Sequence, residues 1–183
     1  MKLSSQRTLR SILRIACQSG AIAMLFVAIV AHPQAAPSPQ PAPDVYQMPI
    51  PYGAPVSLDN AKKAAAAAVT EATKNGWTMV VAIVDPDGTL IYYEKMDNTQ
   101  LASAVVAIEK ARSAALFKRP TRAFEDLLSQ PGGDRYLKME GAIPIEGGIP
   151  LVMGGKIVGA IGVSGGKSAQ DTQCSQQGAN TLK

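Results

Sequence analysis

Between Gly147 and Asp171 the chain reads GGIPLVMGGKIVGAIGVSGGKSAQD, and this stretch limits the folds open to it more than any other. Two apolar runs, Ile149–Met153 and Ile157–Val163, flank a Gly154-Gly155-Lys156 turn. Apolar strands joined by a short glycine-containing connection form a β-hairpin. The second run ends in Ser164-Gly165-Gly166, and a helix start follows at once, with Ser168 at a cap position and Asp171 three residues on. A hairpin therefore feeds a helix through a glycine-rich corner, where a backbone can approach a ligand closely. Because hairpins pair neighbours antiparallel, a doubly wound parallel sheet is excluded.

The stretch before it predicts a second hairpin. Trp77–Val84 is a continuous apolar run, Asp85-Pro86-Asp87-Gly88 has the chemistry of a turn, and Thr89–Met96 returns. Ser57 caps a predicted helix over Leu58–Lys74, whose inward face is mostly alanine, and Asn75-Gly76 stops it. Asn98 or Thr99 opens a second helix to about Phe117, with Leu101, Val105, Ile108, Ala111, Ala115 and Leu116 marking its apolar face. Pro120 ends it. Thr121 is read first as the cap of a short helix to Leu128, Gln130–Glu140 as a loop, and Ile143–Ile145 as a further short strand. The expected product is an α/β chain of the α+β type: a central antiparallel sheet of four to five strands, with helices on both faces or a face buried on a second subunit.

The first residues are a different kind of sequence. Lys2, Arg7, Arg10 and Arg14 precede an uncharged segment, Ile15–Ala31, and then small residues and prolines. This is the order of a secretory signal peptide, with cleavage expected after Ala31 or Ala35. Residues 1–35 are read as that leader, 36–56 as a proline-rich linker and 57–183 as the domain, with no stable membrane span left after cleavage. The four leader cations account for the whole net charge of +4. The domain is then close to neutral, and the basic balance implies no nucleic-acid partner. Cys17 goes with the leader and leaves Cys174 without an intrachain disulfide partner.

His32, the single histidine, sits at the leader's exit. The domain thus lacks the usual general base near neutral pH. Gly162-Val163-Ser164-Gly165-Gly166 matches G-x-S-x-G, but a serine triad needs a histidine downstream, and there is none. Gly166-Lys167-Ser168 resembles the end of a phosphate loop, yet Ile161 stands where that motif needs glycine. What remains is a generic anion site of backbone N–H groups beside Lys167, against the alternative that these glycines only permit close packing. Asp85 and Asp87 read as turn-formers. Asp97 is read as a helix cap or a site residue, and Lys110 as a solvated cation or one aimed at a ligand carboxylate.

These motifs, in order, are VAIVDPDGTLIYYEKM (Val81–Met96) with Asp97, Lys110-Ala111-Arg112-Ser113-Ala114, Phe117 to Thr121, Gly147-Gly148-Ile149-Pro150, and Gly159–Gly165 with Asp171. Together they resemble the GlcG/HbpS family over Leu58–Lys183. The resemblance implies a three-layer domain with a central antiparallel sheet, a homo-oligomer, and haem as the associated ligand. With no histidine in the domain, the candidates for an iron ligand are Tyr92, Tyr93, Met96, Tyr136, Met139, Met153 and Cys174, of which Tyr93 and Met96 are favoured. The expected pocket comprises Met96, Asp97, Lys110, Thr121, Gly148, Ser164, Gly165 and Gly166, with Lys110 and backbone N–H groups meeting carboxylates. The expected function is an exported haem-binding protein, periplasmic or extracellular, taking haem or another small planar, anionic ligand. Haem breakdown, or binding of a small organic acid without haem, are the alternatives.

Overall fold

A computed structural model describes residues 50–182. The predicted signal peptide, and the predicted linker up to residue 49, lie outside the described residues. The elements are α1 (Leu58–Lys74), β1 (Val80–Val84), β2 (Leu90–Lys95), α2 (Ser103–Leu116), α3 (Arg122–Leu128), a 3₁₀ helix (Gly133–Lys138), β3 (Gly148–Met153), β4 (Lys156–Ser164) and α4 (Ser168–Asn180). Among the described residues no helix is long and apolar enough to cross a membrane.

Both predicted hairpins form, and they join into one antiparallel four-stranded sheet in the order β2-β1-β4-β3. The join is β1 on β4, with Ala82 opposite Gly162 and Ile83 opposite Ile161. Asp85 makes the first turn as its chemistry requires: one carboxylate oxygen accepts from the N–H groups of Asp87 and Thr89, at 2.9 and 2.8 Å. A bulge at Ile83/Val84 inserts Ile91 into β2, so Tyr92 and Glu94 share one face of the sheet while Tyr93 and Lys95 share the other.

Alternation divides the core. Val81, Ile83, Leu151, Ile161 and Val163 pack under α1 and α4; Val80, Ala82, Val84 and Ala160 pack under α2. This is the predicted α+β architecture with helices on both faces. Ser57 caps α1 by accepting from the Asn60 N–H at 3.3 Å, and the buried residues of α1 are all alanine. Small residues let α4 come close: a Cβ at Gly178 would strike the Ala64 carbonyl.

Several local expectations need correction. Residues 77–79 precede the first strand rather than belonging to it, and no strand forms over 143–145, where the Ile143 N–H instead meets Ser113 Oγ at 3.1 Å. Residues 50–56 are not a free spacer: Ile157 exchanges backbone bonds with Pro51 and Gly53, Val56 bonds to Val158, and the Val56 side chain enters the core. The second helix starts at Ser103 because Asn98 takes a left-handed φ of 61° and the Thr99 hydroxyl closes a turn on Met96 O at 2.8 Å. Its face is also rotated. Leu101, Val105 and Leu116 point outward, while Ser103, Ala107, Lys110, Ala111 and Ala114 point in. The reason lies across the interface: Gly162 and Gly148 bring the sheet against the α2 backbone, and only the helix's small side fits there. Finally, Lys167 rather than Ser168 occupies the α4 cap position, its N–H donating to Gln170 Oε1 at 2.9 Å.

Candidate functional site

Of the residues singled out around the glycine corner, Lys110, Thr121, Gly148 and Ser164 are buried, Gly165 is half-buried and Gly166 is exposed. Lys110, on the sheet-facing side of α2, is 1% exposed. Its ammonium donates to Asp171 Oδ2 at 2.7 Å and to the Val163 carbonyl at 3.2 Å. The other Asp171 oxygen accepts from the Gly166 N–H at 3.0 Å. Burial pushes the Asp171 carboxyl above the usual carboxylate range, while Lys110 and the N–H groups of Gly166 and Gly165 oppose that shift. The expectation that Lys110 meets a ligand carboxylate is therefore corrected: its carboxylate partner is Asp171, within the chain.

Thr121 is corrected likewise. It occupies the N-cap position of α3 but makes no side-chain cap bond there. Its hydroxyl accepts from the Gly148 N–H and its own N–H donates to the Gly148 carbonyl, both at 3.0 Å, tying α3 to the start of β3. Ser164 Oγ meets Ser103 Oγ at 3.3 Å inside the same region. Gly165 lies flat on Met79, whose N–H donates to Met96 Sδ at 3.4 Å. The sulfur of Met96 is thus turned towards Met79 and the core. The signal for Asp171 was present only in part: Lys110 stands among alanines and needs a counter-charge, but the partner is 61 residues further on.

The surface tells a different story. α2 lies over β3, β4 and β1, and on that side of the sheet Leu90, Tyr93 and Lys95 of the edge strand β2 remain exposed. Asp97 follows at the strand's end, also exposed. Among the described residues the Tyr93 hydroxyl has no hydrogen-bond partner. Of the other proposed iron donors, Met153 is as exposed as Tyr93, and the rest are hydrogen-bonded, half-buried or enclosed. Tyr92 donates to Glu94 Oε2 at 3.0 Å, and this bond to the carboxylate, with burial, raises its pKa. Tyr136 accepts from Arg135, and Met139 is half-buried. Met153 meets Asn60 Nδ2 at 3.8 Å and lines an open cleft of about 290 Å³ with Ser57, Lys156 and Val158, at the start of α1. Cys174 is wholly buried in the core, and burial with the nearby charges of Glu71 and Asp171 pushes its thiol up to about 12. Among the described residues no three His, Cys, Asp or Glu side chains gather to hold a metal ion.

The ledge on β2 therefore offers a phenol oxygen, an adjacent apolar side chain in Leu90, and an ammonium two residues along the same face, about 7 Å away at the usual strand rise. Phenol oxygen is an established axial donor to haem iron, and a cation is the natural partner of a propionate. The donor set on this face fits the group that the family resemblance implies.

Residues 56–180 match the HbpS-like family, described as "Haem degrading protein HbpS-like". Protein GlcG of Escherichia coli K12 is 37% identical over 99 residues, 54% of this chain and 73% of GlcG. A double mutant of HbpS from Streptomyces reticuli superposes with a TM-score of 0.66 at 29% identity, covering 82% of this chain and 99% of that one. The structure of a PduOC–haem complex gives a TM-score of 0.64 at 28% identity, covering 70% of this chain and 96% of its own.

Proposed function

This chain belongs to the HbpS-like family, and from that footing we propose that it is an exported haem-binding protein, a carrier or an accessory to a haem sensor. The observation that carries the reading is Tyr93: an exposed phenol on the side of β2 that α2 leaves open, with no hydrogen-bond partner among the described residues. A structurally similar chain, PduOC, is known as a haem complex, which supports the same ligand class here. On this reading Tyr93 would hold the iron, Lys95 would meet a propionate and Leu90 would supply apolar contact. Haem would supply the iron chemistry; the chain would supply the ligand oxygen, the counter-charge and an exposed leucine beside them. The buried corner of Lys110, Asp171, Thr121 and Gly148 lies on the β3–β4 side of the sheet, across from that ledge, and holds α2, α3 and α4 to the strands. Export by the leader at 1–35 and self-association belong to the same proposal.

Substitution with spectroscopic readout tests it. Tyr93→Phe is expected to weaken hemin binding by about tenfold or more, equivalent to about 1.4 kcal/mol, and to abolish the resonance Raman signature of iron-bound tyrosinate. Met96→Ala, whose sulfur faces Met79, is expected to keep that signature. An unchanged spectrum and affinity in Tyr93→Phe would remove Tyr93 from the site. A reductant added to the loaded protein separates the two haem roles, because bleaching of the Soret band marks breakdown and its persistence marks carriage.

A further inference from the structure

The cleft of about 290 Å³ lies on the opposite face of the sheet from Tyr93: its Val56 and Val158 belong to the core under α1 and α4, whereas Tyr93 stands opposite Ala82, which packs under α2. One wall is residues 53–57, which lead into α1. The other is the β3–β4 hairpin, through Met153, Lys156 and Val158, with Asn60 between them. The first wall is fastened along its length. Gly53 N–H donates to the Ile157 carbonyl at 2.8 Å and Val56 N–H to the Val158 carbonyl at 2.7 Å. Just upstream, the Tyr52 hydroxyl donates to the carbonyls of Ala115 and Leu116 at 3.0 and 3.2 Å, and the Lys118 ammonium sits 4.0 Å from the centre of its ring. The cleft is thus already formed, and a ligand entering it need not order its walls.

Its polar groups are left without strong partners. The Lys156 stem lies along Gly53, where an added Cβ would stand 3.0 Å from Lys156 Cβ and 3.6 Å from Cδ. Among the described residues the Lys156 ammonium has neither an ion-pair nor a hydrogen-bond partner. Asn60 is half-buried, and its side-chain amide meets only the Met153 sulfur, at 3.8 Å, a weak acceptor. Ala54, Pro55 and Val158 add carbon surface beside these groups. We infer that this cleft binds a short-chain carboxylate, with Lys156 as counter-charge, the Asn60 amide as donor and the alkyl chain against Pro55 and Val158. One cation and one amide suit a single anionic head, and the apolar walls favour an anion that carries a carbon chain over a bare one. The volume lies at the lower end for small-molecule pockets, which suits a ligand of a few carbons.

The site is independent of the haem reading. Its test is titration of the purified, isotope-labelled protein with butyrate, followed by amide NMR. Saturable shifts are expected at Gly53, Lys156 and the Asn60 side-chain amide, with a Kd on the order of 1 mM, as befits a small ligand held by one exposed ion pair. Butanamide keeps the chain without the charge, and inorganic phosphate keeps charge without the chain; each is expected to bind at least about tenfold more weakly. Lys156→Gln is expected to lose butyrate to the same extent. Lys156 is exposed at a hairpin turn, so the rest of the amide spectrum should verify that the variant keeps its fold. Absence of a saturable butyrate shift would overturn the site. Butyrate binding that survives Lys156→Gln, or is matched by butanamide, would overturn the carboxylate, and phosphate binding as tight as butyrate would overturn the role of the apolar walls. Hemin binding is expected to be unchanged in Lys156→Gln, and its loss there would overturn the independence of the two sites.

Discussion

Lys110 and Asp171 form a buried ion pair in the interior of the domain. Two charges taken out of water gain from their attraction only when the geometry is good and the remaining polar atoms are satisfied. Here Val163 O takes a second proton of the ammonium, and Gly166 N–H serves the second carboxylate oxygen. Removing one partner leaves a bare buried charge, so Lys110→Met or Asp171→Asn is expected to cost about 3–5 kcal/mol in urea unfolding. Replacing both by apolar residues should recover most of that; a double variant as unstable as the singles would contradict the pairing. Cys174 gives a second prediction at this scale. Its thiol pKa is raised from 9.0 to about 12 by burial first, then by Glu71 and Asp171. The folded state therefore holds its proton more tightly than the unfolded one. The stability this contributes is fully present below pH 9 and is lost as pH rises through about 12. Native protein at pH 8 should resist iodoacetamide and react only as it unfolds, which mass spectrometry can follow. At this scale the sequence showed that Lys110 was out of place among alanines, but not where it pointed, because its partner lies on another element.

For the elements, the decisive contact is α2 on the sheet. Gly162 faces the Ala107 carbonyl and Ala111, and Gly148 faces the Lys110 carbonyl, so helix and strands meet backbone to backbone. Gly162→Ala would force the helix away and is expected to cost roughly 3 kcal/mol, the upper part of the usual range for overpacking. Gly76 provides the contrast. It has φ of +70° and open space around it, so Gly76→Ala should cost only about 1–2 kcal/mol for the left-handed backbone. Thermal or urea melts that ranked the two in the opposite order would refute this account of how α2 is seated. The hairpins, α1 and the two-sided helix cover were all legible from apolar runs, turn residues and alanine spacing. The rotation of α2 was not. Its outward leucines look like a core face until the glycines opposite are known to be under the other side.

At the scale of the molecule, the sheet order is what leaves the proposed binding face uncovered. Each hairpin could be read locally, but the union of β1 with β4 pairs residues 80–84 with 160–164, and no local pattern encodes that. The union makes β2 an edge strand beyond the reach of α2 and leaves Tyr93 and Lys95 exposed on one side. It also places Lys110, Thr121, Gly148 and Ser164 of the expected pocket in the interior, where Gly148 allows the sheet to approach the α2 backbone. Sequence reasoning had Tyr93 among its candidates but could not choose it over Met96, whose sulfur only the fold turns towards Met79. The central claim, that this family member binds haem, is tested most directly by titrating the purified protein with hemin and following the Soret band. The account predicts a saturable shift with its end point at one haem per chain. A band that grows without a stoichiometric end point, as hemin adsorbs to the surface, would contradict it.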